Sequence, residues 1–256
     1  MNVSEKNYIA RRKDNLLYFS IKIKNQTLTN ISTPMNYEDK ASDYYANIRH
    51  ELINVIDKGV SNLKVMEIGA AYGETLYFLK QKGIASEAVG VDIFEDVKNK
   101  SNYKEIDRFI FGNIEETDFP EYKGYFDLIL LPDVLEHLIE PKRVMDKVSS
   151  YLKKDGAIIV SMPNIRHYSA FKKIFIQGDF RYEESGIFDY THMRFYCKKN
   201  MVELIEKTGF NIEKTESSIK NYKGKSGAKI INALTLGLLE PFFSTQYFFH
   251  AKKANG

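Results

Sequence analysis

A single cysteine, Cys197, stands in 256 residues, so no disulfide can form within the chain and a zinc–thiolate cluster is disfavoured. No apolar run approaches the ~18 residues needed to span a bilayer. The opening MNVSEKNYIARRKDN lacks the apolar stretch of a secretory signal. Charge of one sign is barely in excess. Lys and Arg total 37 against 34 Asp and Glu, and the net +3 is too weak a field to imply a nucleic-acid partner. Internal repeats, low-complexity tracts and inter-domain linkers are also missing. What remains is 43% hydrophobic and 28% charged, ordinary for a globular chain long enough to bury a large core. These counts favour an enzyme or small-molecule binder in a reducing, cytoplasmic setting, with no integral membrane segment.

The periodicity predicts one domain over 1–256, with an N-terminal arm at 1–43 in which LLYFSIKI (16–23) could supply a hairpin strand. Apolar residues at helical spacing predict a helix over 44–58, stopped by Gly59. From residue 63 short apolar strands alternate with helices. Strands are expected at 63–68, 88–91, 109–111, 126–131 and 157–162, and helices at 75–82 and at 135–152, the latter interrupted near Pro141. That alternation means a parallel sheet covered on both faces. An aromatic-rich insert at 164–197 breaks the rhythm. A helix over 198–208, a strand over 210–215, an insert over 217–245 holding a helix at 230–239, and a last strand over 247–251 complete the reading.

The first strand runs into Glu67-x-Gly69-x-Ala71-x-Gly73 and then a helix. Small residues allow a tight turn and close approach of backbone to a ligand, at the sheet edge where open α/β folds bind ligands. The spacing is not the dinucleotide fingerprint, and a carboxylate at its first position suits a cationic or ammonium group better than a pyrophosphate. Asp92 closes the second strand, where an acid can accept hydrogen bonds from both ribose hydroxyls. Ala71 is compatible with this turn if its φ stays negative.

In order, EIGAAYG, VGVDIF, FGNIEE, FDLILLPDVLEHL and DGAIIVSMPN resemble the motifs of class I S-adenosylmethionine-dependent methyltransferases over residues ~44–216. The resemblance implies a Rossmann-like, seven-stranded, mostly parallel α/β sheet with helices on both faces and an acceptor-side insert. It implies S-adenosylmethionine as cofactor, held by Tyr45, Arg49, Glu67, Gly69, Ala70, Ala71, Gly73, Asp92, Ile93, Asn113, Ile114, Pro132 and Asp133. Asp92 would take the ribose, Asn113 and Ile114 would edge the adenine, and Arg49 could pair with the methionine carboxylate.

Methylating a hydroxyl also requires a proton acceptor, and histidine is suited to that near neutral pH. His137, just past the fourth strand, and His192, in the insert, are the candidate bases. The phrase GDFRYEESGIFDYTHMRFY resembles a subset of this family that modifies bacterial surface glycans and nucleotide sugars. There the insert covers the acceptor, which implies substrate contacts from Arg166, His167, Tyr190 and Arg194. No metal is expected, although Asp133 and Asp189 are conceivable ligands. Leu131-Pro132-Asp133 lacks the Asn-Pro-Pro-aromatic arrangement that grips a flipped base. A quinone-like or lipid-precursor acceptor, or cofactor binding without catalysis, are the competing readings. The apolar stretch INALTLGLLEPFF could line such a pocket or form a homodimer contact.

Overall fold

The run FDLILLP has no polar face to offer water, because it lies in the middle of a parallel sheet with helices on both sides. The computed structural model describes residues 48–221 and 226–254, together with the backbone of 11–13 and 16–18. By its contacts the chain divides into two compact units, Met1–Asp39 and Lys40–Gly256. In the first, β1 (Arg11–Lys13) and β2 (Leu16–Tyr18) form an antiparallel pair with Arg11 opposite Tyr18.

The second unit carries a seven-stranded sheet. Its strands are β3 (Leu63–Ile68), β4 (Ala85–Asp92), β5 (Arg108–Phe111), β6 (Phe126–Pro132), β7 (Leu152–Pro163), β8 (Phe210–Ser217) and β9 (Gln246–Lys253). The order across the sheet is β5-β4-β3-β6-β7-β9-β8. The first five run parallel, and β9 pairs antiparallel with both β7 and β8. This is the expected α/β architecture. Chain order reverses between β3 and β6, so the carboxyl ends of those strands open a crevice.

Side chains alternate across the sheet. On one face Met66, Ile129, Leu131, Ile158 and Val160 pack with α3 (Pro141–Tyr151), which buries Val144, Met145 and Val148, and with α5 (Lys198–Lys207), which buries Met201 and Ile205. On the other, Val65, Leu128, Leu130 and Ile159 meet α2 (Glu74–Gln81) through Leu76 and Leu79, and Leu52 of α1 (His50–Ile53).

The helical stretch over 135–152 is interrupted at Pro141 as expected, a 3-10 turn at Leu135–His137 preceding α3, since Pro141 lacks the N–H an unbroken helix would need and starts a new one instead. Two other elements differ from the sequence expectation. The helix predicted over 44–58 is a single turn, α1, within the described residues. The helix predicted over 230–239 becomes α6 (Gly227–Leu234) and α7 (Glu240–Phe243), separated where Leu236 and Gly237 take φ of 51° and 84°. The insert itself adds α4 (Tyr168–Phe171), which runs on into a π turn over Lys172–Ile176.

Candidate active site

The loop after β3 turns on three positive φ angles, 75° at Gly69, 50° at Ala71 and 81° at Gly73. A Cβ on Gly69 would sit 2.9 Å from Val134, and one on Gly73 would sit 2.7 Å from the Phe109 ring. Both glycines are therefore fixed by conformation and by their neighbours. Ala71 departs from the expectation of a negative φ. Its left-handed backbone costs about 1–2 kcal/mol, and it is held there because its N–H donates to Asp92 Oδ2 at 2.7 Å.

Asp92 is buried at the end of β4, and its Oδ1 accepts the Phe94 N–H at 2.9 Å. Burial pushes its carboxyl above the usual range, opposed by the N–H groups of Phe94, Ala71 and Ile93. Glu67, in β3, is 2% exposed, and its Oε2 has no hydrogen-bond partner. Burial lifts its carboxyl to about 8, with Arg49 pulling the other way and Asp92 adding repulsion. Asn113 uses Oδ1 to accept the Glu115 N–H at 2.9 Å, closing a local turn, while Ile114 is buried beside it and Ile93 is exposed.

Asp133, directly after β6, also has positive φ (53°), a conformation Asp tolerates better than most residues. The next turn thus begins without an Asp133 cap, and the carboxylate is spent elsewhere. Oδ2 pairs with Arg49 at 2.8 Å, and Oδ1 accepts from Ser161 Oγ at 2.8 Å and from Gln246 Nε2. Four residues on, the rings of His137 and His192 meet edge-on with centroids 4.7 Å apart. His137 Nδ1 donates to the Thr191 carbonyl at 3.1 Å and His192 Nδ1 to that of Ile187 at 2.9 Å, so in both rings Nε2 is the basic atom. Burial, with the second imidazole adding to it, holds His137 down at about 4.

Between them lies Glu136, fully buried, with neither carboxyl oxygen hydrogen-bonded, and its pKa is driven well upward by burial. Its Oε1 is 3.9 Å from His192 Nε2. Glu136, His137 and His192 bring potential metal-donor atoms within 4.8 Å of one another; Asp133 and Asp189 are outside that group. A cavity of about 610 Å³ opens over these residues, lined in addition by Lys173, Glu183, Asp189, Thr245 and Gln246.

The profile of the family described as "Methyltransferase domain" matches residues 37–215. The chain belongs to that family. This methyltransferase is 19% identical over 164 residues to a ubiquinone biosynthesis O-methyltransferase of Shewanella halifaxensis, a match covering 62% of this chain and 68% of that one. Its fold is similar to that of an S-adenosylmethionine-dependent methyltransferase from Mesorhizobium loti, with TM-score 0.56 at 15% identity, covering 84% of this chain and 99% of the other. It is similar also to one from Archaeoglobus fulgidus, with TM-score 0.54 at 20% identity, covering 83% and 95%. Family and fold together indicate S-adenosylmethionine as the cofactor.

Of the residues expected from the sequence, the methyltransferase brings Arg49, Asp133, His137 and His192 to one cavity. Glu67, the Gly69–Gly73 loop and Asp92 gather at the neighbouring strand ends, where Pro132 also closes β6 and Ala70 is buried. Tyr45 lies outside the described residues. The four residues expected to contact substrate do not line the cavity. Arg166 and Tyr190 are exposed; His167 is buried, capping α4 with Nδ1 2.7 Å from Ser169 Oγ. Arg194 donates to the carbonyls of Leu138 and Ile139, tying the insert down. The sequence reading missed Glu136, Lys173 and Gln246. Glu136 was within reach, because it sits between the two quoted motif residues of DVLEH, whereas nothing local marks Lys173 or Gln246.

Proposed function

We propose that this methyltransferase transfers a methyl group from S-adenosylmethionine to a hydroxyl of a sugar, nucleotide sugar or surface glycan. The residues at the strand ends fit the cofactor. Asp92 offers a buried carboxylate at the strand end to a vicinal diol, and the unpartnered Oε2 of Glu67 is a buried acceptor for an ammonium group. When bound, the cofactor supplies an electrophilic methyl on a sulfonium. Asp133, carried on its positive-φ turn, fixes Arg49 and Gln246 at the cavity wall. The acceptor hydroxyl is positioned by the cavity and gives its proton to the Nε2 of His137 or His192, with the other ring as a positioning residue.

The observation that carries this reading is the paired imidazoles, each held by a backbone carbonyl and opening into a cavity that charged and amide side chains line together with Pro163, Ile187 and Phe188. Lys173, Glu183, Asp189 and Gln246 suit a polyhydroxylated acceptor better than an apolar ring. The similarity to ubiquinone O-methyltransferases supports a quinone-like acceptor as the second reading.

Incubation with labelled S-adenosylmethionine and a panel of nucleotide sugars, glycans and catechols, read by mass, separates the two. Replacing the base by Ala should lower kcat by ~10²–10⁴-fold with cofactor affinity intact, and replacing the positioning ring should act mainly on KM. His137 is neutral above about 4. An acid limb of the rate near pH 4 that disappears in His137→Ala therefore marks His137. If both His137→Ala and His192→Ala keep kcat within a few-fold of wild type, neither is the base.

A further inference from the structure

Glu136 is 0% exposed, and neither of its carboxyl oxygens has a hydrogen-bond partner. A buried carboxyl in that condition costs free energy, and such a group calls for a proton, a water or a cation to meet it. The protein cations that share its cavity are turned to other groups. Arg49 pairs with Asp133 Oδ2 at 2.8 Å, and Lys173 donates to Glu183 Oε1 and to the Arg181 carbonyl. What Glu136 faces is two imidazoles. Its Oε1 is 3.9 Å from His192 Nε2, and one donor atom from each of Glu136, His137 and His192 lies within 4.8 Å of the others.

The two rings are held as metal-ligating histidines are held. Nδ1 of His137 meets the Thr191 carbonyl and Nδ1 of His192 the Ile187 carbonyl, which fixes each ring and directs Nε2 to the cluster. The supporting backbone is braced as well. Glu136 and His137 are adjacent in the 3-10 turn, and the Glu136 carbonyl accepts the N–H groups of Met193 and Arg194, next to His192 in the chain. Donors bound to a first-row ion at about 2.0–2.2 Å sit roughly 3–4 Å from one another. The 3.9 Å separation is inside that range, and small side-chain rotations bring in the third donor. The cavity of about 610 Å³ lies on the open side of the cluster. Asp133 and Asp189, the carboxylates conceivable as ligands from the sequence, are committed elsewhere. Asp133 holds Arg49, Ser161 and Gln246, and Asp189 Oδ1 accepts the N–H and the hydroxyl of Thr191.

We propose that Glu136, His137 and His192 bind one divalent transition-metal ion of the zinc class, with its remaining coordination facing the cavity. Two imidazoles and one carboxylate favour zinc, cobalt or nickel over magnesium and calcium, which take oxygen donors. The ion meets the charge of the buried carboxyl that no protein cation satisfies. Binding rests on the donor cluster alone. Its effect on transfer rests on the imidazole-base reading above. The ion takes the Nε2 lone pairs that would receive the acceptor's proton, so loading slows transfer and a chelator restores it. The acid limb that marks His137 is accordingly a property of the metal-free protein.

Titration of the full, untagged chain with Zn²⁺ and Co²⁺ after chelator treatment tests this. Wild type should bind one Zn²⁺ per chain by calorimetry and by elemental analysis after gel filtration. Co²⁺ should bring the visible absorption of a nitrogen–oxygen donor set, and excess Mg²⁺ should not displace it. Glu136→Gln and His192→Gln should each weaken Zn²⁺ binding by ~10-fold or more, because losing a ligand costs at least what losing a supporting hydrogen bond costs. Unchanged S-adenosylmethionine binding reports an intact fold in both. The proposal is overturned if wild type shows no saturable Zn²⁺ binding, if both variants bind as wild type does, or if Mg²⁺ competes. It is overturned too if binding is lost only in the double variant Asp57→Asn, Glu213→Gln, which disarms the separate donor group around His250. Zinc that binds at this cluster and slows transfer supports both the site and the imidazole base. Zinc that binds there and leaves kcat unchanged, or raises it, removes the imidazole-base reading and leaves the metal site standing.

Discussion

Buried carboxyls decide how this protein answers to pH. Glu67 has its folded-state pKa raised to about 8 from an ordinary 4.5, so the native state holds the proton the unfolded chain has released between those values. Stability from this group is full below 4.5 and is lost as pH rises to about 8. His137 acts oppositely. Its pKa falls from 6.5 to about 4, so its contribution is lost as pH drops through that window. The two slopes oppose each other below pH 6.5, and above it Glu67 acts without that counterweight. Glu67→Gln should therefore flatten the decline in unfolding free energy, read from urea titrations, between pH 6.5 and 8 by up to about 1.4 kcal/mol per pH unit. An unchanged slope would show Glu67 to be ionised in the native state. At Gly73 both a positive φ and the Phe109 ring oppose a side chain. Gly73→Ala should lower stability by roughly 1–3 kcal/mol in chemical denaturation.

Among the elements, the insert is tied down from outside its own sequence. The Met193 and Arg194 N–H groups donate to the Glu136 carbonyl at 2.9 and 3.0 Å, and His137 Nδ1 returns a bond to Thr191. The Arg194 side chain then clasps the carbonyls of Leu138 and Ile139. Residues 175–186 are mostly exposed, whereas Phe188, Asp189, Thr191 and His192 are buried. Hydrogen exchange should split the insert accordingly, fast over 175–186 and slower over 188–196, with both faster than β6. Arg194→Ala should accelerate exchange over 188–196 and raise KM more than it lowers kcat. Exchange as slow as that of β6 throughout the insert would contradict this description of the lid.

At the scale of the whole molecule, cofactor binding couples to folding, since the strand ends proposed to meet the cofactor exist only in the folded sheet. A saturating ligand at 100 times its Kd stabilises by about 2.7 kcal/mol. Wild type should show the matching rise in Tm with S-adenosylmethionine, and Asp92→Ala should lose most of it; a full shift in that variant would remove Asp92 from the cofactor site. The sequence by itself determined the parallel sheet, because strands buried on both faces must be apolar along their whole length. It also determined the placement of Glu67 and Asp92, because ligand-facing residues of such a sheet lie at carboxyl strand ends. The His137 region was legible for the same reason. Only the tertiary structure decided the rest. Gln246 meets Asp133 from 113 residues away. His192 reaches His137 because the insert folds back over the 3-10 turn. Arg194, read from the sequence as a substrate contact, becomes a tether because two backbone carbonyls without helical partners lie within its reach. Ala71 takes a positive φ because a buried carboxylate pulls its N–H inward. Local pattern records which face of an element is buried; it carries no record of which distant chain segment closes over the open end of the sheet.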